Sequence, residues 1–335
     1  MLRKEWGIWM DFSYIIERIR ESSFETTPFR HVMIADLFRP DDFEFVTSAP
    51  EIRLDPQASD NDLFDSLFRS GYRIIDFPGC ITDRGAYLHW RRTRQSGVNR
   101  IHSACEGFGM TLRLMQPKSD AIKDLMAFLA SADFQQAIAR KFDLDAESLV
   151  YDAGIQKYLD GYEISPHPDI RRKALTFMVN INPSPLAEKV ECHTHYMRFR
   201  KAHEYVGAYW AGNQDADRCW VPWDWCETIR QQRQNNSMVI FAPSDDTLHA
   251  VKASYDHLAF QRTQLYGNFW HPQKLSNSSP AWEDFVIGGS TAARPAQVGI
   301  AGRLPSRIRS MLRAVRHGRS TAGRSPEVAA RFYQE

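Results

Sequence analysis

Two strand-like stretches far apart in the chain each deliver a histidine to a turn, and a chain that uses both must fold so that they meet. The first, Ile155–Pro166, reaches His167-Pro168-Asp169, and a further strand-like run, Lys173–Asn182, leaves it. The second, Asn236–Pro243, leads to Leu248-His249-Ala250-Val251; after a polar loop, Arg262 opens another run that ends at Trp270. Turn residues bound each segment, and β-rich composition reads these runs as strands. Strands dominate from Val150 to Trp270, so the expected fold is mostly β with flanking helices, with strands paired antiparallel in two facing sheets.

The residue types gathered this way have a definite chemistry. Two imidazoles and one carboxylate on the face of a β-barrel make an iron site with three coordination positions free, the set used by non-haem Fe(II) oxygenases. The His-x-Asp triplet alone is weak, since about one is expected by chance in a chain of this composition; its strand context on both sides is what raises it. Arg262 offers a planar guanidinium fork that matches a carboxylate bidentately. A competing cluster is Glu191-Cys192-His193-Thr194-His195, because His-x-His on a strand puts both rings on one face and can ligate zinc. It lacks a clear third ligand at useful spacing.

In order and strand context, these residues resemble the 2-oxoglutarate and Fe(II)-dependent oxygenases, in particular the prolyl-4-hydroxylase-like branch. The resemblance covers roughly residues 151–183 and 236–270. It consists of Tyr158, Gly161, His167-x-Asp169, a later strand, His249-x-Val251, and a basic residue, Arg262, at the next strand's start. It implies a double-stranded β-helix, jelly-roll or cupin-like. It further implies Fe(II) held by His167, Asp169 and His249, with 2-oxoglutarate bound through its keto-acid end and its far carboxylate on Arg262. Tyr158 would hydrogen-bond the cosubstrate. O2 is the second cosubstrate, ascorbate an activator, and succinate and CO2 the coproducts of hydroxylating a C–H bond. Alternation along residues 174–181 puts Ala174, Thr176, Met178 and Asn180 on one face, and polar Thr176 and Asn180 would suit the cosubstrate pocket.

Two features depart from the family. Its usual Gly-Gly-x-Leu strand after the first ligands is not recognisable; instead residues 190–234 are rich in Trp and charge and read as an insert. Demethylases of nucleic acids carry a second arginine six residues after the first, where this chain has Asn268; nucleic acid is therefore not the expected partner. The substrate expected is a small molecule, a glycan or a lipid-linked molecule. A peptidyl-prolyl hydroxylase-like activity, a zinc hydrolase and a non-catalytic cupin-like binding module are the alternatives. Trp210, Trp220, Trp223 and Trp225 either bury a lid or line a substrate mouth.

Composition bounds the setting. The chain has 335 residues, 43% hydrophobic and 12% aromatic, enough for a sizeable core. No apolar run is long enough to span a membrane, and Met1–Trp6 has mixed charge with no secretory pattern. The five cysteines are odd in number and never spaced Cys-x-x-Cys, which implies free thiols in a reducing, cytoplasmic compartment. The net charge of +1 hides an asymmetry: residues 285–326 hold eight arginines and no acid, leaving −7 for the rest. Within that basic tail, Pro305–His317 places Ile308, Met311, Leu312 and Val315 on one helical stripe among arginines. Such a helix suits a partner or, through residues 303–325, the anionic inner face of a membrane. The expected layout is residues 1–150 as helical and strand support, with a helix region at 118–142 packed on one sheet, 151–272 as the catalytic core, and 273–335 as the tail.

Overall fold

A computed structural model describes residues 10–94 and 104–272. The expectations for Met1–Trp6, for the tail at 273–335 and for its amphipathic helix lie outside the described residues. The N-terminal part supplies α1 (Tyr14–Glu21), β1 (Phe24–Glu25), β2 (His31–Ile34), α2 (Pro40–Thr47), α3 (Asp60–Arg69), β3 (Tyr72–Ile74), α4 (Arg84–Thr93), β4 (Thr111–Leu114), α5 (Asp120–Leu129) and α6 (Ala132–Arg140). Eight strands follow: β5 (Val150–Tyr158), β6 (Glu163–His167), β7 (Lys173–Asn180), β8 (Thr194–Phe199), β9 (Cys226–Gln231), β10 (Met238–Phe241), β11 (His249–Lys252) and β12 (Arg262–Trp270). A helix, α7 (Tyr205–Gly212), lies between β8 and β9.

All strand pairs are antiparallel. The larger sheet has the order β1-β2-β10-β7-β12-β5-β4-β3, the smaller β6-β11-β8-β9. From β5 onward successive strands cross from one sheet to the other, except at the β8–β9 hairpin. That is the double-stranded β-helix the sequence led us to expect. The N-terminal strands extend the larger sheet at both edges, so residues before 150 are built into it and do not merely brace it.

The larger sheet is buried on both sides. Side chains alternate across a strand, so Leu175, Phe177, Val179, Leu265 and Phe269 face the helices and join the main core. Phe134 of α6 meets Phe177 edge-on at 5.7 Å, and α5 buries Ile122, Leu125 and Leu129; each such side chain contributes about 1.5–3 kcal/mol. The break between α5 and α6 falls at Ser131, whose hydroxyl accepts from Phe134 N and caps the second helix. At the start of α5 the Ser119 hydroxyl makes no cap; the Glu51 carboxylate accepts from Lys118 N and Ser119 N.

Residues 190–234 are not one insert. They contain β8 and β9, two core strands of the smaller sheet, and the true connection runs only from 200 to 225. Partly exposed charged residues on these strands (Arg198, Glu227, Arg230) and a register shift between Tyr196 and Met197 hid the alternation. Gly161, before Tyr162, sits at φ +83°, and a Cβ there would lie 2.0 Å from the Trp90 ring; only glycine fits this turn.

Candidate metal centre

His167 ends β6 and His249 begins β11, and the two are direct cross-strand partners. Opposed residues of an antiparallel pair share a face, so the rings meet with centroids 4.2 Å apart. Asp169 adopts a left-handed φ of +74°, which aspartate tolerates better than most residues. This turn directs its carboxylate back to the rings. Asp169 Oδ1 lies 3.6 Å from His167 Nε2 and 3.8 Å from His249 Nε2, and ligand atoms of all three residues fall within 4.8 Å of one another. Among the described residues no other group of three such side chains meets this way.

Each part of the cluster is oriented from behind. His167 Nδ1 is 2.9 Å from Ser165 O, and His249 Nδ1 is 2.9 Å from Thr247 O. A carbonyl only accepts, so the proton sits on Nδ1 and the Nε2 lone pair is left for a metal. Thr176 donates to Asp169 Oδ2 at 2.9 Å, and Lys173 Nζ donates to Asp169 Oδ1 at 2.6 Å. Burial pushes the Asp169 carboxyl up, but the Lys173 ammonium and the two imidazoles outweigh it and hold the group well below the usual carboxylate range. Burial, and then the neighbouring His167 ring, lowers His249 to about 3. A carboxylate with a neutral imidazole is the protonation a metal requires.

Arg262, at the start of β12, faces Tyr158 at the end of β5 as its cross-strand partner. Its guanidinium lies 4.5 Å from the Tyr158 ring centroid and is buried. Nη2 donates to Thr194 Oγ1 at 3.1 Å, while Nη1 is buried with no hydrogen-bond partner. An orphaned buried donor costs about 1–3 kcal/mol, more on a charged group, so this fork can take an acceptor from the cavity that Arg262 lines. Tyr158 donates to Gln156 Oε1 at 2.6 Å, and burial pushes its hydroxyl up to about 12.

His167, Asp169, His249, Arg262 and Tyr158 line one cavity of about 870 Å³, open mouth included. Its walls carry Phe77, Tyr162, Tyr266, Trp220 and Trp270, with Lys173, Thr194 and Gln264 among the polar groups. Glu106 and Arg218 form an ion pair that also lines it; burial raises the Glu106 carboxyl, against the pull of Arg218.

The expectation for Asn180 is corrected. It stands on the inner face as alternation requires, but its amide donates to Gln232 O and Gln234 O and accepts from Gln264 Nε2. It ties strands together and does not line the cavity. The competing His193/His195 cluster gains no third ligand: His195 Nδ1 is 2.9 Å from Thr228 Oγ1 and its ring packs edge-on against Trp223. Thr194, between them, is the residue that reaches Arg262. Of the four tryptophans only Trp220 lines the cavity; Trp210 lies under the Arg171 guanidinium, Trp223 donates to Glu163, and Trp225 stacks on His203. Sequence reasoning gave no role to Lys173, Thr194 or Tyr266. The available signals were the i+4 spacing of Lys173 from Asp169 and the strand alternation at Thr194.

No family model matches the chain, and no curated protein does. Among solved structures, a Pseudomonas putida prolyl-4-hydroxylase is 10% identical, with 78% of this chain and 100% of that one covered at a TM-score of 0.35. An oxidoreductase of the 2OG-Fe(II) oxygenase family from Burkholderia pseudomallei is 10% identical, covering 81% and 95% at 0.31. EvdO2 from Micromonospora carbonacea var. aurantiaca is 12% identical, covering 64% and 92% at 0.29. At such identities and TM-scores these likenesses decide nothing about activity.

Proposed function

We propose that this protein is a non-haem Fe(II) and 2-oxoglutarate-dependent dioxygenase that hydroxylates a C–H bond of a small-molecule, glycan or lipid-linked substrate. The observation that carries this reading is the union, in one cavity, of the His167–Asp169–His249 ligand set and a buried Arg262 whose Nη1 lacks a partner. A metal site alone would leave Arg262 unexplained; a dicarboxylate cosubstrate accounts for both. Iron, when bound, supplies the chemistry that couples oxidative decarboxylation of 2-oxoglutarate by O2 to hydroxylation of the substrate.

The chain's own residues set up that chemistry. His167, Asp169 and His249 would hold the metal. Arg262 takes the far carboxylate of 2-oxoglutarate, helped by the Thr194 hydroxyl. The backbone carbonyls of Ser165 and Thr247 fix the imidazoles, while Thr176 and Lys173 fix Asp169. Aromatic walls keep water from the reacting centre. A zinc hydrolase would need a free general base beside its metal-bound water; the cavity's two acids are Asp169, a ligand, and Glu106, paired with Arg218.

No helix of the described residues is long and apolar enough to cross a membrane. A cytoplasmic setting, with residues 303–325 docked on an acidic partner or anionic surface, completes the reading; ascorbate would serve to keep the metal reduced.

Succinate formation from 2-oxoglutarate, measured with Fe(II), ascorbate and air, tests the proposal. Wild-type protein should form succinate, slowly even without substrate, and Asp169→Ala should form none while keeping its fold by circular dichroism. Equal succinate from both proteins would reject the assignment.

A further inference from the structure

We propose that the substrate carries one carboxylate on an apolar or ring-containing body, and that Lys173 is its anchor. The inference rests on the oxygenase reading above and adds the substrate class. Its basis is the charge that lines the cavity. Three cations, Lys173, Arg218 and Arg262, face it together with two acids, Asp169 and Glu106. Arg218 and Glu106 compensate one another directly. A divalent metal is balanced by Asp169 and the keto-acid carboxylate of 2-oxoglutarate, and Arg262 by the far carboxylate. One positive charge is left, on Lys173.

That charge is in a poor place to stand alone. The Lys173 side chain is only 7% exposed, and an uncompensated buried ammonium is strongly destabilising. Its Nζ has two partners, Asp169 Oδ1 at 2.6 Å and the Tyr266 hydroxyl at 2.8 Å. An ammonium has three protons to donate. With Asp169 holding a metal, less of its charge would offset Lys173, and an incoming acid group would restore the balance.

The position also suits a substrate anchor. Asp169 Oδ1, to which Nζ is bonded, is the oxygen 3.6 and 3.8 Å from the two histidine Nε2 atoms. An acid group at Nζ therefore leaves the adjoining carbons beside the metal ligands, where a C–H bond has to lie. Rings flank the ammonium, with the Tyr266 and Trp270 centroids 5.5 and 5.6 Å away. Tyr162, Trp220 and Phe77 continue the apolar wall.

Benzoate and its neutral isostere benzamide separate charge from shape. Both would be titrated calorimetrically, under nitrogen, into full-length protein loaded with Fe(II) and saturating 2-oxoglutarate. We expect benzoate to bind at least tenfold more tightly than benzamide. The preference should vanish in Lys173→Gln and survive in Lys173→Arg, which keeps the charge. Equal affinities for the wild type overturn the proposal without any variant having to fold. So does a preference that persists in Lys173→Gln, or one that is lost instead in Arg218→Gln. A Lys173→Gln protein that loses 2-oxoglutarate affinity but keeps the benzoate preference would make Lys173 a cosubstrate residue and likewise reject the anchor. Failure to load with Fe(II) and 2-oxoglutarate is read before either probe is added, and rejects the oxygenase reading itself.

Discussion

Asp169 has its two oxygens divided between tasks: Oδ2 is fixed by Thr176, and Oδ1 faces both histidines with Lys173 at its side. Arg262 is set with similar care, its guanidinium stacked on Tyr158 and half satisfied by Thr194. Removing a charge-assisted bidentate partner of a buried carboxylate costs about 2–5 kcal/mol. Arg262→Ala should therefore raise the Kd for 2-oxoglutarate by at least about thirtyfold, with little change in Fe(II) affinity; an unchanged Kd would mean that another cation is the clamp. Burial also sets an acid limit on the metal-free protein. His249 is lowered from 6.5 to about 3 and His193 to about 4, chiefly because burial disfavours the charged rings. Below pH 6.5 the unfolded chain takes up protons that the folded one refuses, so stability is full above 6.5 and is lost as pH falls toward 4. His249 alone accounts for about 2–3 kcal/mol by pH 4.5. Melting of metal-free protein should drop markedly between pH 7 and 4.5, and less so in His249→Asn; identical profiles would contradict this.

At the scale of elements, the site depends on register. The β6–β11 pairing sets the two histidines opposite one another, and the β5–β12 pairing sets Arg262 against Tyr158. The strands carrying these residues were legible because each has a turn, a ligand and alternation together. The α5–α6 pair was legible for a similar reason, since its apolar positions recur at helical spacing and Ser131 interrupts them. Strands β8 and β9 were not, because a register shift and partly exposed charges interrupt their alternation and the neighbouring tryptophans read as a loop. Helix α4 was missed because only Tyr87 and Trp90 mark its buried side, and α7 because two glycines dilute it. Residues 210–216 of the 200–225 connection are fastened by Arg171, two residues after Asp169. Arg171 lies 3.7 Å over the Trp210 ring, donates from Nε to Ala216 O at 2.8 Å, and from Nη2 to Trp210 O and Asn213 O. Arg171→Ala should cost about 2–4 kcal/mol locally and sharply raise amide exchange across residues 210–218. Unaltered exchange there would show that the connection holds itself in place.

The whole molecule places a sheet between a helical layer and a cavity. The helices bury the outer face of the larger sheet, while its inner face and the smaller sheet enclose the ligands, so one sheet supports both stability and chemistry. Residues before 150 contribute edge strands, the Glu51 cap and the Glu106 wall, and the sequence suggested only the first of these roles. Asn180 shows the limit of alternation: it gave the face correctly but could not reveal that Gln232, Gln234 and Gln264 would occupy its amide. The central claim is that one cavity holds Fe(II) and 2-oxoglutarate together. Anaerobic titration of Fe(II)-loaded protein with 2-oxoglutarate, followed by visible absorption, tests it most directly. A weak metal-to-ligand charge-transfer band that grows to one equivalent, and is absent from Asp169→Ala, is the result predicted. No band at saturating 2-oxoglutarate, or the same band in both proteins, would contradict it.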